Sequence, residues 1–275
     1  MSSTGTGGDE QQRTRKQRRE QARTERRALE QAQLAGAVRR ARLTQLGIVV
    51  AVVVVAIITV LVATGNGKRH VPGAGEQPAI VKEVTALVNG IPQRANELGK
   101  PAAPVTLQYF GDLECPVCRA FTLSALPEII QKWVRGGELK IEYRSMETAT
   151  DDPEVFKAQQ VAALAAGKQD KLWNFIETFY HEQGEEHTGY VTEKFIQGIA
   201  AQVPGLNLSQ WTSDRGDAAL ASQVASDGQA ANAAGISGTP GFLIGRSGGA
   251  MKQLEPSSFT EAGSFDEAIE KLLRA

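Results

Sequence analysis
The only two cysteines of the 275-residue chain stand three apart, in Cys115-Pro116-Val117-Cys118, and the periodicity of the sequence changes at that point. Upstream, Pro104-Val105-Thr106-Leu107-Gln108-Tyr109-Phe110 reads as a buried strand, and Gly111-Asp112-Leu113-Glu114 as a loop. From the cysteines onward the pattern is helical through about Arg135, with Val117, Phe121, Ile129, Ile130 and Trp133 on the apolar side. Pro127 is expected to kink this helix and Gly136-Gly137 to stop it. The fold must therefore run a buried strand directly into a helix whose N-terminus carries a dithiol.

That placement has a chemical reason. Thiolate is the nucleophile, and a free thiol with a pKa of about 8.5 falls to roughly 3.5–7.5 at helix N-termini and in CxxC pairs. Cys115 is expected at the first turn, where unpaired N–H groups and the helix dipole favour an anion. Pro116 suits the first helical position because its missing N–H would be unpaired there. Cys118, one turn on and more buried, is then the resolving thiol. Two other readings are weaker. A structural disulfide across CxxC closes too short a loop to stabilise much. A zinc site needs two more ligands, and the candidates, His181 and His187, straddle Gly184 with poor ligand spacing. Neither a metal nor a cofactor is expected.

Elements alternate through the rest of this region. Glu138 to Met146 alternates around Leu139, Ile141 and Tyr143 and reads as a strand. Residues 153–235 are nearly all helical, with broad apolar faces around Leu172, Ile176 and Phe179 and around Phe195, Ile199 and Ala200. Leu208 to Ala234 allows one long helix or two. Gly238-Thr239-Pro240-Gly241 then breaks the pattern, and X-Pro is the common route to a cis peptide. Phe242-Leu243-Ile244 reads as a short buried strand, Met251 to Leu254 as its partner, and Phe265 to Leu273 as a terminal helix.

A second feature divides the chain. Leu46 to Thr64 is a run of 19 residues without a charge. As a helix, at about 1.5 Å per residue, it reaches roughly 28 Å, close to the thickness of a bilayer core. It is longer than a signal-peptide core and no clean small-x-small cleavage site follows it, so the expectation is an uncleaved anchor. Arg39, Arg40 and Arg42 outnumber Lys68 and Arg69 across the span, which puts the N-terminus in the cytoplasm and the remainder outside. The expected organisation is a basic tail over 1–45, a transmembrane helix over 46–64, a linker over 65–79 and a folded domain over 80–275 with a helical insert at about 150–233. Charge follows this division. The overall net charge is −1, but residues 1–45 hold 11 Lys/Arg against 5 Asp/Glu and the rest is acidic. An acidic large domain argues against a nucleic-acid partner, and a single apolar run excludes a polytopic membrane protein.

The chain resembles the DsbA-like branch of the thioredoxin superfamily, particularly its membrane-anchored bacterial members. The matching stretches are Gly90-Ile91-Pro92-Gln93, Leu98-Gly99 through Pro104-Val105-Thr106-Leu107, Asp112-Leu113-Glu114-Cys115-Pro116-Val117-Cys118-Arg119, Trp173 and Gln183, and Gly238-Thr239-Pro240, in family order over about residues 85–275. The resemblance implies an α/β thioredoxin-like fold with an inserted helical domain, and a cis Pro240 beside the cysteines. It also implies that the Thr239 backbone holds an extended substrate strand, and that Glu114, with Asp112 near it, serves in proton handling. The implied activity is thiol–disulfide oxidoreduction outside the bacterial plasma membrane, oxidising cysteines of secreted proteins, with a membrane quinone-linked reoxidase as partner. A reductase, an isomerase and a tethered redox sensor are the rival readings. Two departures stand out. The dipeptide between the cysteines is Pro-Val, where DsbA has Pro-His, and Gly241 stands where many relatives carry a larger residue. A charged Glu114 beside Cys115 would also raise the pKa of that thiol.

Overall fold
The computed structural model describes residues 78–274. Strand β3 (Val105–Gly111) is buried on both faces, and only Gln108 along it is partly exposed. Such a strand belongs in the middle of a sheet covered on both sides. It lies between β4 (Leu139–Ser145), parallel to it with Leu107 opposite Ile141, and β5 (Gly241–Arg246), antiparallel with Leu107 opposite Ile244. The six-stranded sheet runs β1-β2-β4-β3-β5-β6, where β1 (Gln93–Arg94) and β2 (Glu97–Leu98) form a short hairpin and β6 (Lys252–Gln253) closes the other edge. The alternation foreseen around Leu139, Ile141 and Tyr143 is the buried face of β4, and the pairing foreseen for 251–254 is β5 against β6. Helix α1 (Ala79–Val88), which buries Val81, Val84 and Val88, carries no sequence signal singled out above, and the β1–β2 hairpin lies among the family-like stretches without having been read as strands.

The helix expected from the cysteines to Arg135 is three pieces. α2 (Pro116–Leu123) ends at Ser124, whose φ of −120° and ψ of −74° are not helical. α3 (Ala125–Ile129) follows, and a π turn covers Ile130–Val134. Pro127 accounts for the position of the break. It has no N–H for the Leu123 carbonyl, and its ring would collide with that carbonyl in a continuous helix. The disruption therefore falls one turn before the proline rather than at it. Gly137, with φ +85°, then ends the segment. Val117, expected on the apolar side, is 42% exposed on the outer face of α2.

Five helices are inserted between β4 and β5: α4 (Pro153–Gly167), α5 (Leu172–Glu182), α6 (Glu193–Ala201), α7 (Leu208–Asp214) and α8 (Ala218–Ala233). The Leu208–Ala234 stretch is thus two helices. Gly216 interrupts it, and the Asp217 carboxylate restarts it by accepting the Ala219 N–H at 2.9 Å. The insert is tied to the sheet by polar bonds as well as packing. Buried Asp227 of α8 accepts Arg144 Nε at 2.6 Å and the Ser145 N–H at 3.1 Å, at the end of β4. α9 (Gly263–Arg274) packs Phe265 and Ile269 onto the sheet, where Phe242 meets Phe265 and Phe121 at centroid distances of 5.0 and 4.9 Å. The observed architecture is a thioredoxin-like α/β fold with a helical insertion. The basic tail, the 46–64 span and the 65–79 linker up to residue 77 lie outside the described residues, and among the described residues no helix is long and apolar enough to cross a membrane.

Candidate active site
β3 delivers the chain to the C-terminal edge of the sheet, and the Asp112–Glu114 loop turns it into α2. Cys115 is the N-cap residue of α2, one position earlier than the first turn, with Pro116 at the first helical position. Its sulfur is itself the capping acceptor, taking the Cys118 N–H at 3.3 Å. A thiolate here satisfies an otherwise orphaned helix donor and faces the positive end of the dipole. The Cys118 side chain contributes most to lowering the Cys115 pKa. Burial opposes it, and the Thr239 hydroxyl and the N–H groups of Cys118 and Val117 add to the lowering, so that the value falls to about 6. Cys118 is fully buried, and burial first, then the Cys115 thiol beside it, push its pKa well up. The two thiols are thus chemically unequal: one, itself buried, is stabilised as a thiolate at the head of the helix, and the other is held as a neutral thiol fully enclosed beneath it.

The Thr239–Pro240 peptide bond is cis and faces this pair. The Cys115 thiol donates to the Thr239 carbonyl at 3.4 Å, and the Thr239 and Thr148 hydroxyls are hydrogen-bonded to one another. Gly241, just after the proline, packs so closely that a Cβ would run into the Ile236 side chain and stand 3.1 Å from the Gly238 carbonyl. That close approach accounts for glycine at this departure from the family pattern.

The two acids of the loop have different positions. Asp112 is fully buried and both its oxygens are occupied: Oδ2 accepts the N–H groups of Thr148, Ala149 and Thr150 at 2.8–3.0 Å, and Oδ1 accepts Thr150 Oγ1 at 2.6 Å and the Glu114 N–H at 3.1 Å. It anchors the loop that follows β4, and with it Thr148 against Thr239. These five bonds give Asp112 a scaffolding position where sequence reasoning had set it near proton handling. Glu114 is also buried, with Gln159 Nε2 at 3.4 Å from Oε1. Burial, then the charge of Asp112, raises its pKa. The Cys115 pKa comes out lowered despite this carboxyl, because the hydrogen bonds to the sulfur outweigh both burial and the missing histidine.

Several contacts of the site could not be read from the sequence because they come from the distant insert or from the floor; Gln183 and Arg119 stand in the family-like stretches quoted above, but no role was assigned to them there. Gln183, at the end of α5, donates from Nε2 to the carbonyls of Leu113 (2.8 Å) and Cys115 (3.2 Å). Arg119 Nε donates to the Tyr180 carbonyl at 2.9 Å, and the Tyr180 hydroxyl to the Asp112 carbonyl at 3.1 Å. Tyr109 and Tyr180 share a hydroxyl contact of 3.1 Å beneath the turn. Of the two histidines weighed as zinc ligands, His187 faces Asp151, with Nδ1 2.8 Å from Oδ2, and His181 lines a separate cavity with Glu177. Among the described residues no group of three or more His, Cys, Asp or Glu side chains is arranged to hold a metal ion.

A helix-capping thiolate, a buried thiol one turn on and a cis-proline loop across from both define a DsbA-like thiol–disulfide oxidoreductase, an enzyme that exchanges disulfides through a cysteine pair. The chain belongs to the thioredoxin family, whose model matches residues 93–260. It is 26% identical over 182 residues to disulfide bond formation protein D of Bacillus subtilis strain 168, covering 64% of this chain and 76% of that one. It is 23% identical over 171 residues to the probable disulfide bond formation protein D of Bacillus anthracis, covering 58% and 78%. Among solved structures, oxidised BdbD of Bacillus subtilis superposes with a TM-score of 0.57 at 23% identity, over 67% of this chain and 98% of that one. α-DsbA1 of Wolbachia pipientis follows at 0.54 and 21%, over 64% and 89%.

Proposed function
We propose that this protein is a membrane-anchored dithiol oxidase that acts outside the bacterial plasma membrane and introduces disulfides into secreted proteins. The observation that carries the reading is the inequality of the two sulfurs, with Cys115 lowered to about 6 and Cys118 raised. A substrate thiolate attacks Cys115 Sγ of the Cys115–Cys118 disulfide. The S–S bond breaks, and Cys118 leaves as a thiolate that burial drives to take up a proton. The second substrate thiolate then attacks the substrate sulfur of the mixed disulfide, and Cys115 leaves. Its low pKa makes it a good leaving group, so the oxidised substrate is released readily. Two electrons pass from the substrate dithiol to the cysteine pair. Return of the pair to the disulfide requires an electron acceptor, for which a quinone-linked membrane partner suits an enzyme tethered by residues 46–64. Thr239, ahead of the cis Pro240, offers backbone groups to an extended substrate segment, and Glu114 is the buried acid available for proton exchange at the turn.

The named homologues in Bacillus support the direction, since both are called disulfide bond formation proteins. The test is the equilibrium reduction potential of the full chain in detergent, titrated in glutathione buffers. A potential between about −120 and −180 mV supports an oxidising role, and one near about −270 mV replaces it with a reductase. The anchor is tested separately by proteolysis of intact spheroplasts. Digestion of the cysteine domain with survival of the 1–45 tail supports the orientation, and protection of that domain removes it.

A further inference from the structure
Glu177, in the middle of α5, is fully buried, and neither of its carboxylate oxygens has a hydrogen-bond partner. Leaving a buried ionisable group unpaired is among the costlier things a fold can do, whereas the neighbouring buried polar side chains of α5, Asn174 and Thr178, both have partners, in Gln93 and in the Asn174 carbonyl. Glu177 is one of the residues lining a cavity of about 250 Å³ that opens to solvent between α1, α5 and the junction of α2 with α3, apart from the dithiol site. The wall is rich in acceptors. Exposed Glu83 of α1 stands across from Glu177. Leu123 is the last residue of α2, the negative end of that helix, and Pro127, also on the wall, has no N–H to give its carbonyl. The titratable groups on the wall are Glu83 from α1 and Glu177 and His181 from α5. α2, α3 and the π turn contribute Thr122, Leu123, Pro127 and Gln131 and no charge.

We propose that this cavity binds a primary alkylammonium group, the chemistry shared by a lysine side chain and a small free amine. The ammonium donates to Glu177, Glu83 adds charge, and the alkyl stem lies on Val84 and Leu87. Burial and the Glu83 charge hold the free Glu177 carboxyl well above its ordinary range. Binding therefore expels its proton to solvent, and affinity rises with pH until the amine itself deprotonates. This site is independent of the redox assignment, and its test reads binding rather than turnover.

The experiment is calorimetry on the full chain in a non-ionic detergent with n-butylammonium, its isostere n-butanol, and the tripeptide Gly-Lys-Gly, each in two buffers of different ionisation enthalpy. One n-butylammonium is expected per chain, with proton release and a clear preference over n-butanol. Glu177→Gln is expected to weaken it about tenfold or more, the scale of a charge-assisted hydrogen bond. Glu83→Gln, at an exposed position that does not endanger folding, is expected to weaken it several-fold. Binding of Gly-Lys-Gly as well assigns the site to a protein lysine, and binding of the free amine alone assigns it to a small metabolite; either result supports the site. Equal binding of n-butylammonium and n-butanol overturns it, as does affinity unchanged in both variants.

Discussion
At the scale of single residues, the proposed chemistry rests on the difference between two sulfurs. Cys115→Ser is expected to abolish turnover with a dithiol peptide, while Cys118→Ser, which retains the attacking thiol and loses the resolving one, is expected to accumulate mixed disulfides visible on non-reducing gels. Titration of the reduced protein by thiolate absorbance is expected to show a midpoint near pH 6 for Cys115, against about 8.5 for a free thiol. The same shift enters stability. The folded pKa lies below the unfolded one, so the thiolate contributes fully above about pH 9 and the contribution is lost as pH falls towards 6. Unfolding of the reduced enzyme is therefore expected to lose stability over that window. The Cys115→Ser variant should lack this component, and identical pH profiles for the two would contradict it.

At the scale of elements, the active-site turn is held from two sides. On one, Asp112 gathers three successive N–H groups of the loop after β4 and the Thr150 hydroxyl. Asp112→Ala leaves these donors, those of Thr150 buried, without a partner, and a loss of about 3 kcal/mol in chemical denaturation is expected. On the other, Gln183 at the end of α5 holds the carbonyls of Leu113 and Cys115. Gln183→Ala is expected to cost about 1 kcal/mol of stability, the ordinary net worth of such bonds, and to leave the Cys115 thiolate midpoint near its original value, because these bonds go to carbonyls and not to the sulfur. The element boundaries follow the same logic. The strands β3 and β4 and the helical character of the insert were legible because apolar period alone specifies them. The break at Ser124 was not, because Pro127 acts through the carbonyl four residues back, and the two-residue strands β1 and β2 are too short to carry any period.

At the scale of the whole molecule, the chain joins a described oxidoreductase domain to a segment with the length and charge pattern of a membrane anchor. If that anchor holds, extraction of the full chain from membranes should require detergent and resist high salt or carbonate. Release by carbonate alone would point instead to a peripheral protein. The sequence by itself determined the strand-to-helix junction at the cysteines, the helical region between the two halves of the sheet, and the placing of two thiols one turn apart at that junction. These are local facts, written in spacing and apolar period. Only the tertiary structure decided which groups surround the sulfurs. It made Asp112 a scaffold and gave Glu114 a buried place against Gln159. It brought Gln183 and Tyr180 from the insert to the turn, lowered the Cys115 pKa without a neighbouring histidine, and left Glu177 unpaired behind α2. The physical reason is that hydrogen bonding, burial and charge act through space, between residues as many as 124 positions apart in the case of Cys115 and Thr239, and no local pattern records that distance closing.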